Sequence, residues 1–483
     1  MRSAYDVVVV GAGPNGLAAA ITCARAGCDV LLVEGESTVG GGARSAELTL
    51  PGFTHDPCSA IHPLGRASPF FARVPLEAHG LEWVDPEVPL AHPLGGGAAL
   101  LERSLDATAE RLGPDGPRYA RLFAPLVEQA AALYGDALAP LRVPRHPLLF
   151  ARFGRHAVRS ARSLAERAFA HDAARALFAG CGAHSFLPLE ARFSAAFGLV
   201  LSAAGHAFGW PCARGGSGRI AGAMAGYLRA LGGSVVTGWR VESIRELPTA
   251  RAYLFDVFPH ALARIADGRL PAAYTAALAR YRHAPGVFKV DWALASPIPW
   301  AAREVGRAGT VHLGGTLDEV SAAEAAVARG EVAASPFVLL AQPSVMDPTR
   351  APAGKHTAWA YCHVPWNSSF DMTGAIEAQV ERFAPGFREC VLARHTRAAA
   401  DYGQTNPNME GGDIAGGAVD GWQLFARPVA RAVPYATPAR DIFLCSSATP
   451  PGGGVHGMCG YWAARVALRR VFGMRTFIEG NAE

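Results

Sequence analysis

Lysine is nearly missing from this chain of 483 residues: among 45 basic side chains only Lys289 and Lys355 are lysines, and the rest are arginines. Net charge is slight as well. With 41 acids the formal charge is +4, so no basic field marks a nucleic-acid partner. The nine cysteines, at 23, 28, 58, 181, 212, 362, 390, 445 and 459, are odd in number and without C-x-x-C spacing, which argues against a disulfide framework or a structural zinc site. The sixteen histidines are dispersed and show no ligand-type pairing, so no metal centre is expected. Half of the residues are hydrophobic, yet no uninterrupted apolar run reaches the roughly 18–20 residues that span a bilayer. No Ser-His-Asp or Cys-His arrangement supports a hydrolase. The chain opens on a strand-like segment rather than a charged and then apolar leader, so a cytoplasmic protein is expected.

What the chain does have is concentrated near its start. The apolar run Val7–Val10 ends on Gly11, and Gly11, Gly13 and Gly16 give G-x-G-x-x-G spacing, with Pro14 and Asn15 inside it. At a strand-to-helix turn the first glycine permits the tight bend and the second lets backbone approach a pyrophosphate. The third lets the helix lie close to the strand. Helix-start amides and the helix dipole complete an anion site. A second apolar strand, Val30–Val33, delivers Glu34 about twenty residues past the first glycine, where a carboxylate takes ribose hydroxyls and repels a 2′-phosphate. Gly40, Gly41, Gly42, Arg44 and Ser45 then form a second flexible, cationic loop able to clamp the far side of a long dinucleotide.

Length favours two domains. Helical patterns cover Tyr119–Leu133 and Ser160–Phe178, and Ser194–Trp210 reads as a buried apolar helix. After Arg214–Gly218 and a helix at Ile220–Leu231, strands are expected around Ser234–Ile244 and Arg251–Val257. Four further strand-like blocks, Gly286–Leu294, Thr310–Leu313, Phe337–Gln342 and Thr357–Val364, suggest one mixed sheet. The strand Ile442–Cys445, a glycine-rich loop and a helix from about Tyr461 to Val471 close the chain.

The N-terminal motif, the Arg214-Gly215-Gly216-Ser217 loop and the tail from Ser446 to Gly460 resemble three separated signatures of the two-dinucleotide-binding-domain flavoproteins. That superfamily includes the amine oxidases and the bacterial-type phytoene desaturases. His55–Ser59, Gly205–Pro211 and Asn406–Asp413 look familial too. The resemblance implies FAD rather than NAD, and an α/β fold in which a Rossmann-like, glutathione reductase-like FAD domain carries an inserted α+β substrate domain with a mixed sheet and helices. On that reading 1–75, 205–260 and 406–483 form the discontinuous FAD-binding domain, and 76–204 with 261–405 the substrate domain. Val241 would pass beneath the adenine, and Arg245–Ala250 replaces a small β-meander that many relatives insert.

The same resemblance assigns chemistry. Hydride would pass from an apolar substrate to flavin N5, with Gly457, Met458 and Cys459 stabilising charge on the flavin through helix-start amides. The reaction would be a phytoene desaturase-like desaturation, with amine-oxidase-type C–N oxidation or a weakly active, membrane-associated FAD scaffold as alternatives. Lys289, in the apolar block Val287–Trp292, would hold a water against the flavin, unless it pairs with Asp291. His456, His206 and His62 are candidates to face the substrate. No second nucleotide fingerprint is present, so oxygen, a quinone or a partner protein would reoxidise the flavin. Between Arg142 and Arg167 seven arginines stand against one acid, interleaved with Leu148, Leu149, Phe150 and Phe153; such a segment suits peripheral contact with an anionic membrane.

Overall fold

The computed structural model describes residues 2–266 and 268–474. Ala4–Val10 lies at the centre of a five-stranded sheet whose order is Ile442–Leu444, Thr249–Phe255, Ala4–Val10, Val30–Val33, Ser234–Val236. Every pairing in it is parallel. Parallel strands need cover on both faces, and the period of two along each strand divides the apolar side chains between two cores. Val7, Val9, Val30, Leu32 and Leu254 point into a core shared with the helices Pro14–Arg25, Gly218–Ala230 and Met458–Phe472. Val8, Val10, Leu31, Val33 and Phe255 pack on the other side with Leu262 and Ile265 of the helix Pro259–Ile265.

The helices can lie this close only because glycine stands at the crossings. A Cβ on Gly16 would sit 1.9 Å from the Gly11 carbonyl oxygen, and one on Gly460 would sit 1.8 Å from that of Asn15. Helix Met458–Phe472 is thereby pressed onto helix Pro14–Arg25, and the two ends of the chain meet beneath the glycine turn.

A seven-stranded mixed sheet forms the second layer, in the order Val391–Arg397, Gly286–Leu294, His356–Val364, Val338–Ala341, Ala308–Leu313, Val88–Leu94, Gly97–Leu101. All its pairings are antiparallel except that of Ala308–Leu313 with Val88–Leu94. The four strand-like blocks of the sequence lie side by side in it. The other three strands went unread. Val88–Leu94 carries Pro89 and Pro93, which remove ladder donors and usually speak against a strand, and Val391–Arg397 is a half-exposed edge rich in polar side chains. Most of the stretch from 76 to 204 is helical, and the strands Val88–Leu94 and Gly97–Leu101 interrupt it near its start. Between Ser234–Val236 and Thr249–Phe255 no strand occurs among the described residues; the chain leaves the sheet after Val236, short of the expected Ile244, and returns through a helical turn at Ile244–Glu246.

Candidate functional site

A cavity of about 820 Å³ runs from the glycine turn of the parallel sheet to the inner face of the mixed sheet. At its first end Gly11, with φ +97°, turns the chain. A Cβ on Gly41 would come within 2.9 Å of the Gly13 Cα, so the two glycine loops touch through bare backbone and leave room between their surfaces for a phosphate chain. Pro14, Asn15, Gly41, Gly42 and Arg44 line the cavity here, and the Asn15 Oδ1 is buried without a partner in the protein. Glu34 is fixed by the N–H groups of Ala12 and Glu36, which its carboxylate accepts at 2.8 and 2.9 Å. The Arg44 guanidinium lies 3.3 Å from that carboxylate and donates to the Thr38 carbonyl. Backbone bonds from Gly238 and Trp239 to Glu36 and Glu34 hold the segment that brings Val241 to the cavity wall.

Asp256, which sequence reasoning missed, closes this end from below. Its Oδ2 accepts the Gly16 N–H at 2.8 Å, and Asn408 of the Asn406–Asp413 block donates to its carbonyl. Burial, with Glu34 nearby, pushes its carboxyl up to about 7. Like Glu34, it is an acid directly after a buried apolar strand, and that placement was the available signal.

Ser45 does not line the cavity. Its hydroxyl donates to Asp56 at 2.6 Å and accepts from the Gly218 N–H. Asp56 also takes the Ser217 N–H and the fully buried Arg350 guanidinium, so Ser45 belongs to a polar clasp joining the two sheets. His62 lines the cavity beside this clasp, its Nε2 2.8 Å from the Ser217 hydroxyl, and burial lowers its pKa to about 3.

The C-terminal turn departs from expectation. Gly452, Gly453, Gly454 and Val455 line the cavity; His456, Gly457, Met458 and Cys459 do not. His456 is buried and accepts the Met458 N–H at Nδ1, so that helix-start amide is already engaged. Burial depresses its pKa to about 4. The Cys459 thiol donates to the carbonyls of Thr449 and Gly452, bracing the loop from behind. Gly457, at φ +69°, abuts Ala18 and Phe70 in the seam between the first and last helices.

Two other candidates also lie away from the cavity. His206 is buried with its Nε2 2.9 Å from the Tyr119 hydroxyl, among Phe123 and neighbouring aromatic rings. Lys289 is buried and paired with Asp291, its Nζ 5.0 Å from the Trp359 ring centre. Trp359 lines the cavity and Lys289 lies behind it. Desolvation lowers the lysine pKa, while Asp291 counters that effect.

Arg427 was also missed: its buried guanidinium donates to the carbonyls of Gly416, Ser447 and Ala448, tying two lining loops together. Nor are all histidines isolated in space, since ligand atoms of His260, His283 and Glu410 lie within 4.8 Å of one another. Toward the mixed sheet the walls become apolar and aromatic, with Phe186, Phe197, Leu201, Leu339 and Trp359.

Residues 6–62, which build the glycine turn, Glu34 and the second glycine loop, match the family described as FAD dependent oxidoreductase. The orphaned Asn15 Oδ1, the bare-backbone contact of Gly13 with Gly41 and the fixed Glu34 fit that group. The cofactor is FAD, and over these residues the chain matches the FAD-dependent oxidoreductases. Across nearly its whole length this oxidoreductase is similar to pyridine nucleotide-disulfide oxidoreductase domain-containing protein 2 of Rattus norvegicus, at 25% identity over 550 residues, 97% of this chain and 94% of that one. Its fold is shared with a solved oxidoreductase from Methanosarcina mazei, with TM-score 0.65, 15% identity and coverage of 96% and 100% of the two chains. It is shared also with putrescine oxidase in its putrescine-bound structure, with TM-score 0.59, 18% identity and coverage of 97% and 98%.

Proposed function

We propose that this FAD-dependent oxidoreductase removes two electrons and two protons from an apolar substrate, a desaturase-like reaction, rather than oxidising an amine. The placement of carboxylates carries this reading. Of the acids lining the cavity, Glu34, Glu36, Glu242 and Asp256 belong to the dinucleotide end. The remaining one, Asp413, is taken by the N–H groups of Ala284, Ala415 and Gly416. A protonated amine entering the apolar end would meet no free carboxylate among the described residues, and an uncompensated buried cation is costly. Bound FAD supplies a two-electron acceptor. The chain's own residues exclude water through Phe186, Phe197, Leu201 and Trp359, and they hold the two sheets in register through the Asp56–Arg350 clasp. Anaerobic mixing of the holoenzyme with matched polyenes, alcohols, aldehydes and primary amines tests the reading. Bleaching of the oxidised-flavin band by a neutral substrate supports it; bleaching by amines alone overturns it, and no bleaching with any class favours the scaffold alternative.

We also infer that the protein works at an anionic membrane surface. No helix among the described residues is long and apolar enough to cross a membrane. The helix Pro147–Ala157 buries Leu149, Phe153 and Ala157, while Leu148 on its other side is 88% exposed, next to Val143 at 85% and Leu141 at 80%. Exposed Arg145, Arg152 and Arg155 surround these side chains. Apolar tips ringed by guanidinium groups match the boundary between acyl chains and anionic headgroups.

A further inference from the structure

Behind the apolar wall lies a group of histidines that the reading above does not use. His184 lines the cavity just after the helix Asp172–Ala183, and its Nε2 is 2.9 Å from the Nε2 of His312. One of these nitrogens must donate to the other. The other ring nitrogen of His312, Nδ1, is buried with no partner, and a Cβ on Gly180 would stand 2.4 Å from it. A proton on that nitrogen would be a donor facing carbon, which is costlier than a bare lone pair. His312 therefore keeps its proton on Nε2 and donates to His184. Neutral His184 must then carry its own proton on Nδ1, which has no partner among the described residues.

Tyr361 lines the same cavity from the strand His356–Val364, and its hydroxyl too has no hydrogen-bond partner among the described residues. Its ring lies 5.8 Å from that of His363, which packs against Phe186 at 4.1 Å. His184 meets Trp210 edge-on at 6.0 Å. Both groups are thus held by aromatic packing and stay free at the polar atom.

We propose that His184 and Tyr361 form a pair of neutral hydrogen-bond donors that recognises a carbonyl oxygen on an otherwise apolar substrate. The proposal rests on the reading of the cavity as a substrate site and names the substrate class: apolar aldehydes, ketones or esters. Burial holds the His184 pKa near 3 and raises that of Tyr361, so both donors remain uncharged across the working range of pH. A carbonyl oxygen, with two lone pairs and no proton of its own, satisfies both donors. A hydrocarbon leaves both unpaired, and an ammonium group offers them nothing to accept with.

The test uses three ligands of one carbon skeleton, citral, myrcene and geranylamine. Each is titrated into the holoenzyme at pH 7, and binding is read from the shift in bound-flavin absorbance. Citral is expected to bind roughly tenfold more tightly than either of the others. Tyr361→Phe removes a hydroxyl that has no protein partner, so the variant should melt as the parent does. Its affinity for citral should fall roughly fivefold, with that for myrcene unchanged. His184→Leu should act in the same direction. Equal affinity for citral and myrcene in the parent, or unchanged citral affinity in Tyr361→Phe, overturns the donor pair. Binding in the expected order with a flavin that is never reduced upholds the pair and overturns the proposed oxidation.

Discussion

Replacing Asp256 with asparagine should stabilise this protein, and the size of the gain should depend on pH. In the native chain the Asp256 carboxyl accepts the Gly16 N–H at 2.8 Å, and an asparagine oxygen can keep that bond. What asparagine removes is a charge. The carboxyl is buried beside Glu34, with the thiols of Cys445 and Cys459 also close, and its pKa rises from an ordinary 3.8 to about 7. A raised acid pKa means that the folded state holds its proton where the unfolded state has released it. Stability from this group is therefore complete below pH 4, falls as pH rises through the window from about 4 to 7, and levels off above it. Three units at 1.36 kcal/mol each set a ceiling of about 4 kcal/mol. Asp256→Asn escapes this loss, so its melting temperature should match the parent near pH 4, exceed it increasingly up to about pH 7, and keep that margin at pH 8. FAD binding gives a second reading. An ionised Asp256 beneath Gly13 opposes the pyrophosphate, so the parent's affinity, followed by quenching of flavin fluorescence, should weaken above pH 7 and that of the variant should not. Parallel melting profiles for the two proteins between pH 5 and 9 would refute the argument.

Lys289→Met should leave the buried Asp291 carboxylate with only the imidazoles of His55 and His395, 3.8 and 3.9 Å away, and cost about 3 kcal/mol, while Lys289→Met combined with Asp291→Leu recovers most of it. Thermal melts of the FAD-loaded variants check this, and a fully stable single variant would show that the pair is not structural. For the membrane surface, Val143→Asp with Leu148→Asp should lower co-sedimentation with phosphatidylglycerol vesicles about tenfold without altering flavin content. Binding that ignores both the substitutions and the lipid charge would end the idea.

The dinucleotide end was legible because its chemistry is backbone chemistry. Gly11, Gly13 and Gly16 are required by close approach, and such requirements stay at fixed spacing within a few dozen residues. Glu34 was legible for the same reason. Ser45 looked like part of that loop, but its hydroxyl is turned toward Asp56, 11 positions away, and through it toward Arg350, 294 positions from Asp56. A partner at that separation leaves no local trace. The same holds at the apolar end of the cavity. His184 and Tyr361 meet one cavity from a helix end and a strand, and neither sits in a motif. The C-terminal turn shows a subtler failure. Its glycines were read as a flavin cradle, but Gly457 and Gly460 are small because two helices cross there, and the lining falls to Gly452–Val455.

Lys289 shows why rarity in composition marks constraint without saying of what kind. A chain that uses arginine almost everywhere retains lysine where the strand Gly286–Leu294 is buried along its whole length. The face carrying Lys289 and Asp291 lies under Trp359, and the opposite face, with Phe288, Val290 and Trp292, fills a second core. A guanidinium there would bring five donors and a planar fork into a space with one carboxylate to meet them, and each unmet donor would be paid for in stability. An ammonium is compact, stacks beneath an indole and needs fewer partners. Steric and solvation limits thus account for lysine at this position without a role in the reaction. The composition singled out the residue, and the contacts with Asp291 and Trp359 place it in the packing behind the cavity wall.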